Sequence, residues 1–204
     1  NLSVDKGVAK MEQRSNYNKF LLLWSGELVS AIGSGLTSFG LGVYVFRETG
    51  SAADMALVAL LAFLPVLLLS APAGVLADRY DRRILMMAGD GLSALGLVYI
   101  LICMFSGEAK LHQICIGVFI SSVFSSLIEP SYRPTVADLL TKEEYSRAGG
   151  MVSIAGSARY LISPLIAGFL LTVSDVKMLL MIDIGTFFLT VICTAVVRKG
   201  ISAK

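Results

Sequence analysis

Apolar residues in this chain gather into six long runs, separated by short charged breaks. The runs cover roughly residues 19–46, 54–77, 84–106, 111–132, 149–173 and 178–197. A helix needs about 20 apolar residues to cross a bilayer, so the pattern predicts six transmembrane helices. The breaks carry the charges: Arg47 to Asp54, Asp78 to Arg83, Glu108 to Lys110, Arg133 to Arg147, and Asp175 to Lys177. Breaks this short force neighbouring helices to run antiparallel. The expected fold is an all-α membrane protein. Residues 1–17 are read as an N-terminal tail, 18–198 as a six-helix transmembrane domain, and 199–204 as the start of a central loop.

The placement of Lys and Arg sets the expected orientation. One set of ends and breaks holds Lys6, Lys10, Arg14, Lys19, Arg79, Arg82, Arg83, Arg133, Lys142, Arg147, Arg198, Lys199 and Lys204. The other holds only Arg47, Lys110 and Lys177. The first set is therefore assigned to the cytoplasm, with both termini on that side.

Composition agrees with the spans. Of 204 residues 55% are hydrophobic and 16% charged, against roughly 25% charged in soluble domains, and the mean hydropathy is +0.76. A net charge of +2 without basic runs gives no footprint for nucleic acid. Cys103, Cys115 and Cys193 lie inside apolar runs and show no redox or metal spacing. With His112 as the only histidine, no metal or cofactor is expected. The first 17 residues are polar and hold no signal-peptide core, and the chain opens on Asn1 rather than Met, as a trimmed chain would.

The chain also repeats at a spacing of about 94 residues. Ala73-Gly74-Val75-Leu76 is echoed by Ala167-Gly168-Phe169-Leu170. Each has a proline upstream, Pro72 and Pro164, and an acid in the following helix, Asp90 and Asp183. Three helices per unit is an odd number, which predicts two inverted three-helix repeats, a device of transporters.

Ionisable residues at membrane depth are costly and tend to pair or face a cavity. Glu27 lies a third of the way along the first run, on a helical stripe with Ser30, Ser34 and Thr37. Two readings stand: a cavity wall with a protonatable acid, or a packing face with a hydrogen-bonded Glu. Arg159 lies near the midplane of the fifth run. It cannot shed its proton and needs an acid or an anionic ligand; Glu27 is the nearest candidate by depth. Ser122, Ser125 and Ser126 lead to Glu129 and make the fourth run a second candidate wall. Asp90 and Asp183 lie close enough to opposite ends of their runs to suggest structural roles. The third run is almost wholly apolar beyond Ser93, as if it faced lipid.

The segment Gly74-Val75-Leu76-Ala77-Asp78-Arg79-Tyr80-Asp81-Arg82-Arg83 resembles the loop signature G-x-L-A-D-R-x-G-R-R of the major facilitator superfamily. Asp81 stands where Gly is usual. Leu23-Trp24-Ser25-Gly26-Glu27-Leu28-Val29-Ser30 is similar to the first helix of its macrolide, siderophore and drug exporter branch, with Glu27 where Gln is frequent. Pro130-Ser131-Tyr132-Arg133-Pro134 and Ile182-Asp183-Ile184-Gly185-Thr186-Phe187 resemble further marks of that branch. In the fifth run, Gly150, Arg159, Ser163, Pro164, Ala167 and Gly168 follow an antiporter pattern of glycines and proline, with Arg159 in place of a glycine.

The resemblance covers nearly the whole chain and implies the first half of a twelve-helix alternating-access carrier, the second half being absent. It implies a small-molecule substrate near the midplane, and a proton-coupled exporter is expected. The cavity residues are read as Glu27, Ser30, Ser34, Thr37, Ser122, Ser126, Arg159 and Ser163. The resemblance also implies a cytoplasmic gate at Gly74, Asp78, Arg79, Arg82 and Arg83, with Arg82 paired to Glu129 as the acid ending the fourth helix. The exposed polar face of a lone half implies a partner, either the second half or a second copy. An importer on the same fold is the alternative. A membrane serine protease needs a histidine at depth, which His112 at the mouth of the fourth run does not supply. A channel needs acidic rings or a filter segment, and neither is visible.

Overall fold

The computed structural model describes the backbone of residues 2–199 and the side chains of residues 17–198. The expected tail cations Lys6, Lys10 and Arg14, and Lys199 and Lys204 beyond the last span, lie outside the described side chains. Among the described residues, seven helices make six spans: α1 (Leu2–Thr49), α2 (Ala52–Arg79), α3 (Arg82–Phe105), α4 (Leu111–Ser125), α5 (Ile128–Leu139), α6 (Lys142–Val173) and α7 (Val176–Lys199). The membrane-crossing part of α1 starts at Tyr17, and α4 with α5 forms a single span, Leu111–Leu139. Pro130 has no N–H to give to the Ser126 carbonyl four residues back. The ladder tightens just before it, where the Leu127 N–H bonds to the Phe124 carbonyl at 3.1 Å.

The spans run past the apolar stretches that predict them. The fourth continues from Tyr132 to Leu139, and α6 opens at Lys142 rather than at residue 149. The expected break Arg133 to Arg147 thus shrinks to Leu140 and Thr141. Charged residues with good helix propensity extend a helix beyond the hydrocarbon layer. The break itself is set by Thr141, whose hydroxyl accepts from the Glu144 N–H at 3.3 Å while the Glu144 carboxylate accepts from the Thr141 N–H at 3.1 Å, a capping box. Ser51 caps α2 through the Asp54 N–H at 3.2 Å. Asp81 caps α3 through the Arg83 N–H at 3.0 Å.

α1 packs chiefly on α6 and α7, α3 on α4 and α7, and α2 on α4 and α1. Lipid tails supply no hydrophobic drive between helices, so small residues and hydroxyl bonds hold such contacts. Trp24 donates its indole N–H to the Met151 carbonyl at 2.7 Å, joining α1 to α6. Thr190 reaches the Gly26 carbonyl at 3.2 Å, joining α7 to α1. Ser122 reaches the Leu61 carbonyl at 2.9 Å, joining α4 to α2.

The expectation that the third span faces lipid is corrected. One face of α3 buries Gly96, Leu97, Ile100 and Met104, while Leu95, Ile102 and Phe105 on the other stay exposed. A run apolar on both faces cannot tell lipid from protein, and Gly96 decides it here. A Cβ on Gly96 would strike the Gly117 carbonyl oxygen and lie 2.7 Å from the Ser121 nitrogen. Backbone cannot step aside, so Gly96→Ala is expected to destabilise the bundle by about 1–3 kcal/mol. A Cβ on Gly91 meets nothing within 4 Å, so Gly91→Ala should leave the melting temperature nearly unchanged. Thermal melts of the two variants in one detergent check the contrast.

Candidate functional site

Two cavities lie between the helices and meet around Arg159. The larger, about 710 Å³, opens toward the basic end that carries Arg79, Arg82 and Arg83; Glu27, Ser30, Tyr132 and Tyr145 line it. The smaller, about 520 Å³, extends toward the opposite end and is lined by Thr37, Ser38, Ser122 and Asp183. Ser34, Glu129, Arg159, Tyr160 and Phe187 border both.

Their positions follow from helix periodicity. Glu27, Ser30, Ser34 and Thr37 stand one turn apart on the same face of α1. On α6, Ser153, Gly156, Ser157, Arg159 and Tyr160 line the larger cavity. This small and polar stripe, ending in an aromatic, is legible at helical spacing. Tyr160, 72% exposed, is the functional candidate that sequence reasoning missed.

Arg159 does not form the expected ion pair with Glu27. Among the described residues its one hydrogen bond runs from Nη2 to the Ser38 hydroxyl at 3.5 Å. Glu27 lines the same cavity, but its Oε2 is buried without a hydrogen-bond partner. The two charges face one space and leave room between them. A cavity that presents a fixed guanidinium, a carboxyl group and aromatic edges can hold an amphipathic molecule by its polar and apolar parts at once.

Ser126 and Ser163, expected in the cavity wall, line neither space. Ser126 donates to the Val123 carbonyl at 2.6 Å. Ser163 donates to the Ile32 carbonyl at 3.0 Å and fills the gap left by Gly35. Each hydroxyl is spent on backbone at a helix contact. Asp90 and Asp183, expected toward opposite ends of their spans in structural roles, are both buried in the bundle, at 0% and 1% exposure. Asp183 accepts from the Ser34 hydroxyl at 3.3 Å.

At the basic end, Arg82 does not pair with Glu129. Its Nη1 meets Asp138 Oδ2 at 2.8 Å, its Nη2 lies 3.9 Å from Asp78, and its Nε donates to the Ala77 carbonyl at 3.3 Å. The acid that ends the fourth span is Asp138, because that span continues through α5. Glu129 instead holds Arg133 at 2.7 Å, and both border the larger cavity. Asp81, the departure from the loop signature, has two partners. It caps α3 and its other oxygen takes Arg198 Nε at 3.3 Å. Its φ of −61° is open to any residue, so no glycine is required there. Gly74 has open space where a Cβ would stand, on the outer face of α2.

The pattern of the Major Facilitator Superfamily matches residues 23–202. The chain belongs to the major facilitator superfamily. It is 29% identical over 189 residues to macrolide efflux protein A of Streptococcus pyogenes, covering 92% of this chain and 47% of that protein. It is 27% identical over 181 residues to the MFS-type transporter YfiS of Bacillus subtilis, covering 87% and 42%. It is 26% identical over 190 residues to the multidrug efflux pump Tap of Mycolicibacterium fortuitum, covering 87% and 45%. This major facilitator chain thus spans about half the length of the curated relatives it matches.

Proposed function

We propose that this chain is the first six-helix unit of a proton-coupled exporter of small amphipathic molecules, working by alternating access in the cytoplasmic membrane with both ends of the unit in the cytoplasm. The observation that carries the reading is Arg159 at the junction of two stacked cavities, with Glu27 in one and Asp183 in the other. Relatives named for macrolide and multidrug efflux support the substrate class and the direction. The open side of the cavities lies between α2 and α6, where Leu67, Leu68, Leu165 and Phe169 are exposed. A second six-helix unit, further along a longer protein or in a second copy, covers that side in this reading. In the family's manner, substrate binds between the two units, and the Asp78, Arg82 and Asp138 cluster holds one of the two states.

The test is uptake of radiolabelled erythromycin into inverted vesicles by the full-length protein, with and without an inward-acid pH gradient. Accumulation only with the gradient is the expected result. Uptake that the gradient does not change overturns proton coupling, and accumulation only in right-side-out vesicles makes the protein an importer.

The gate gives a separate prediction. Asp138→Asn removes the 2.8 Å partner of Arg82 from a pair that is largely exposed. Such pairs contribute at most about 1 kcal/mol, so the melting temperature should barely move while transport falls several-fold. Glu129→Gln, which breaks the pair with Arg133 instead, should leave the Arg82 cluster intact. Accessibility of a cysteine placed at the cytoplasmic end of α2, probed with a thiol reagent, separates the two: it rises in Asp138→Asn only.

A further inference from the structure

Where the two cavities meet, the charge that no protonation can remove is positive. A poorly solvated carboxyl sheds its charge by taking up a proton, and a guanidinium does not. Arg159 borders both spaces, and among the described residues it forms no ion pair. The acids around it are engaged elsewhere or stand apart. Glu129 holds Arg133 at 2.7 Å, Asp183 accepts from the Ser34 hydroxyl at 3.3 Å, and Glu27 lies across the larger cavity. A guanidinium carries donors on all three of its nitrogens. Arg159 uses one of them, on Ser38 at 3.5 Å, and the others have no acceptor among the described residues.

The backbone beneath this charge is fixed. A Cβ on Gly35 would lie 2.6 Å from the Arg159 carbonyl oxygen, so α1 and α6 touch at this level. One turn further along α6, Ser163 donates to the Ile32 carbonyl at 3.0 Å. A cation mounted on two helices in close contact is ordered before any ligand arrives, which lowers the cost of binding.

The surroundings supply the other half of a ligand's needs. The smaller cavity, about 520 Å³, falls in the size range that holds a drug-sized molecule. Phe39, Phe63, Val66 and Phe187 line it, and Arg159 is the one Lys or Arg among its lining residues. A cationic head placed here would bring a second positive charge beside one that cannot leave, in a space where water screens poorly. A carboxylate instead matches an edge of the guanidinium with two parallel hydrogen bonds, the strongest pairing open to this side chain.

We propose that the preferred substrates are amphipathic acids, whose carboxylate docks on Arg159 and whose apolar body lies in the smaller cavity. The assignment rests on the reading of these cavities as the substrate path and narrows the class of molecule that the path takes. Neutral amphipathic molecules with a carbonyl group bind the same guanidinium through one oxygen, and more weakly.

The test is equilibrium binding of a matched pair, tritiated fusidic acid and its methyl ester, to the full-length protein in lipid nanodiscs, with binding to empty nanodiscs subtracted. The two share one apolar body and differ by a charge at about pH 7.5, where a free carboxylic acid is ionised. The acid is expected to bind about 10-fold tighter than the ester. Arg159→Ala should bring that ratio close to one. Arg159→Lys, which keeps the charge and loses the fork, should retain part of it. Equal binding of acid and ester by the native protein overturns the proposal and leaves the guanidinium to water; this comparison needs no variant. A preference for the acid that survives Arg159→Ala overturns it as well, and Arg159→Gln is read in its place should the alanine variant not fold. Gradient-driven erythromycin uptake without any preference for the acid would keep the exporter reading and remove this one. A preference governed by Arg159, with uptake indifferent to the gradient, would keep the acid site and remove proton coupling.

Discussion

Glu27→Gln in the full-length protein is expected to abolish the dependence of transport on the proton gradient. Glu27 lines the larger cavity, and its Oε2 is buried without a hydrogen-bond partner. Glutamine keeps the length and one oxygen of the side chain but cannot release a proton. Accumulation against a gradient should fall to the level that the substrate's own gradient sets. Exchange of labelled for unlabelled erythromycin, which needs no net proton movement, should continue. The measurement is the pair of assays on one preparation. Gradient-driven accumulation that survives the substitution reassigns Glu27 to packing, and loss of exchange as well as accumulation means the variant has lost binding and not coupling.

Arg159→Ala should weaken binding without loosening the bundle. A structural arginine would show an ion pair, and its removal would strand a buried charge at a cost of roughly 3–5 kcal/mol. Arg159 has instead one long bond to Ser38, and Glu27 is not within pairing distance. Its guanidinium is free to meet the polar part of a ligand at the join of the two cavities. A hydrogen bond to a charged group contributes about 1.5–3 kcal/mol, so affinity should drop by roughly 10-fold to 100-fold. Scintillation proximity binding of labelled erythromycin beside a thermal melt checks both halves. A fall in melting temperature with unchanged affinity would make Arg159 a structural residue.

The six spans are legible in the sequence because hydrocarbon thickness leaves so little freedom: a run of about 20 apolar residues has one use. The helix ends are not, because Lys142, Glu143 and Glu144 are as compatible with a helix in the interface as with a loop. That ambiguity moved the end of the fourth span and with it the partner of Arg82, from Glu129 to Asp138. The α1 stripe is legible because its spacing is helical and its partner, the cavity, is wide. Ser126 and Ser163 carry the same chemistry as Ser30 and Ser34, and the packing that turns their hydroxyls into backbone carbonyls is a property of neighbouring helices. The burial of Asp90 and Asp183 is not legible for a related reason. Distance along a helix gives depth in the bilayer, but not which face meets protein, and both acids sit on the faces where α3 and α7 pack into the bundle.

The ion pair between Asp81 and Arg198 has a bearing on biogenesis. A chain enters the membrane from its N-terminus as it is synthesised, so Asp81 waits on the cytoplasmic surface, in the orientation proposed here, while four more crossings are inserted. Arg198 follows the last of them. The contact that fastens the first cytoplasmic loop to the end of α7 can therefore form only once the sixth crossing is in place. Until then the loop carrying Asp78, Arg79, Arg82 and Arg83 is held by its α3 cap, by the contacts of Arg82 with Asp78 and the Ala77 carbonyl, and by Asp138 once the fourth crossing is in. Nascent chains halted before Arg198 should show that loop open to protease, and chains extended just past it should show it protected, which makes the clasp a marker of completed insertion.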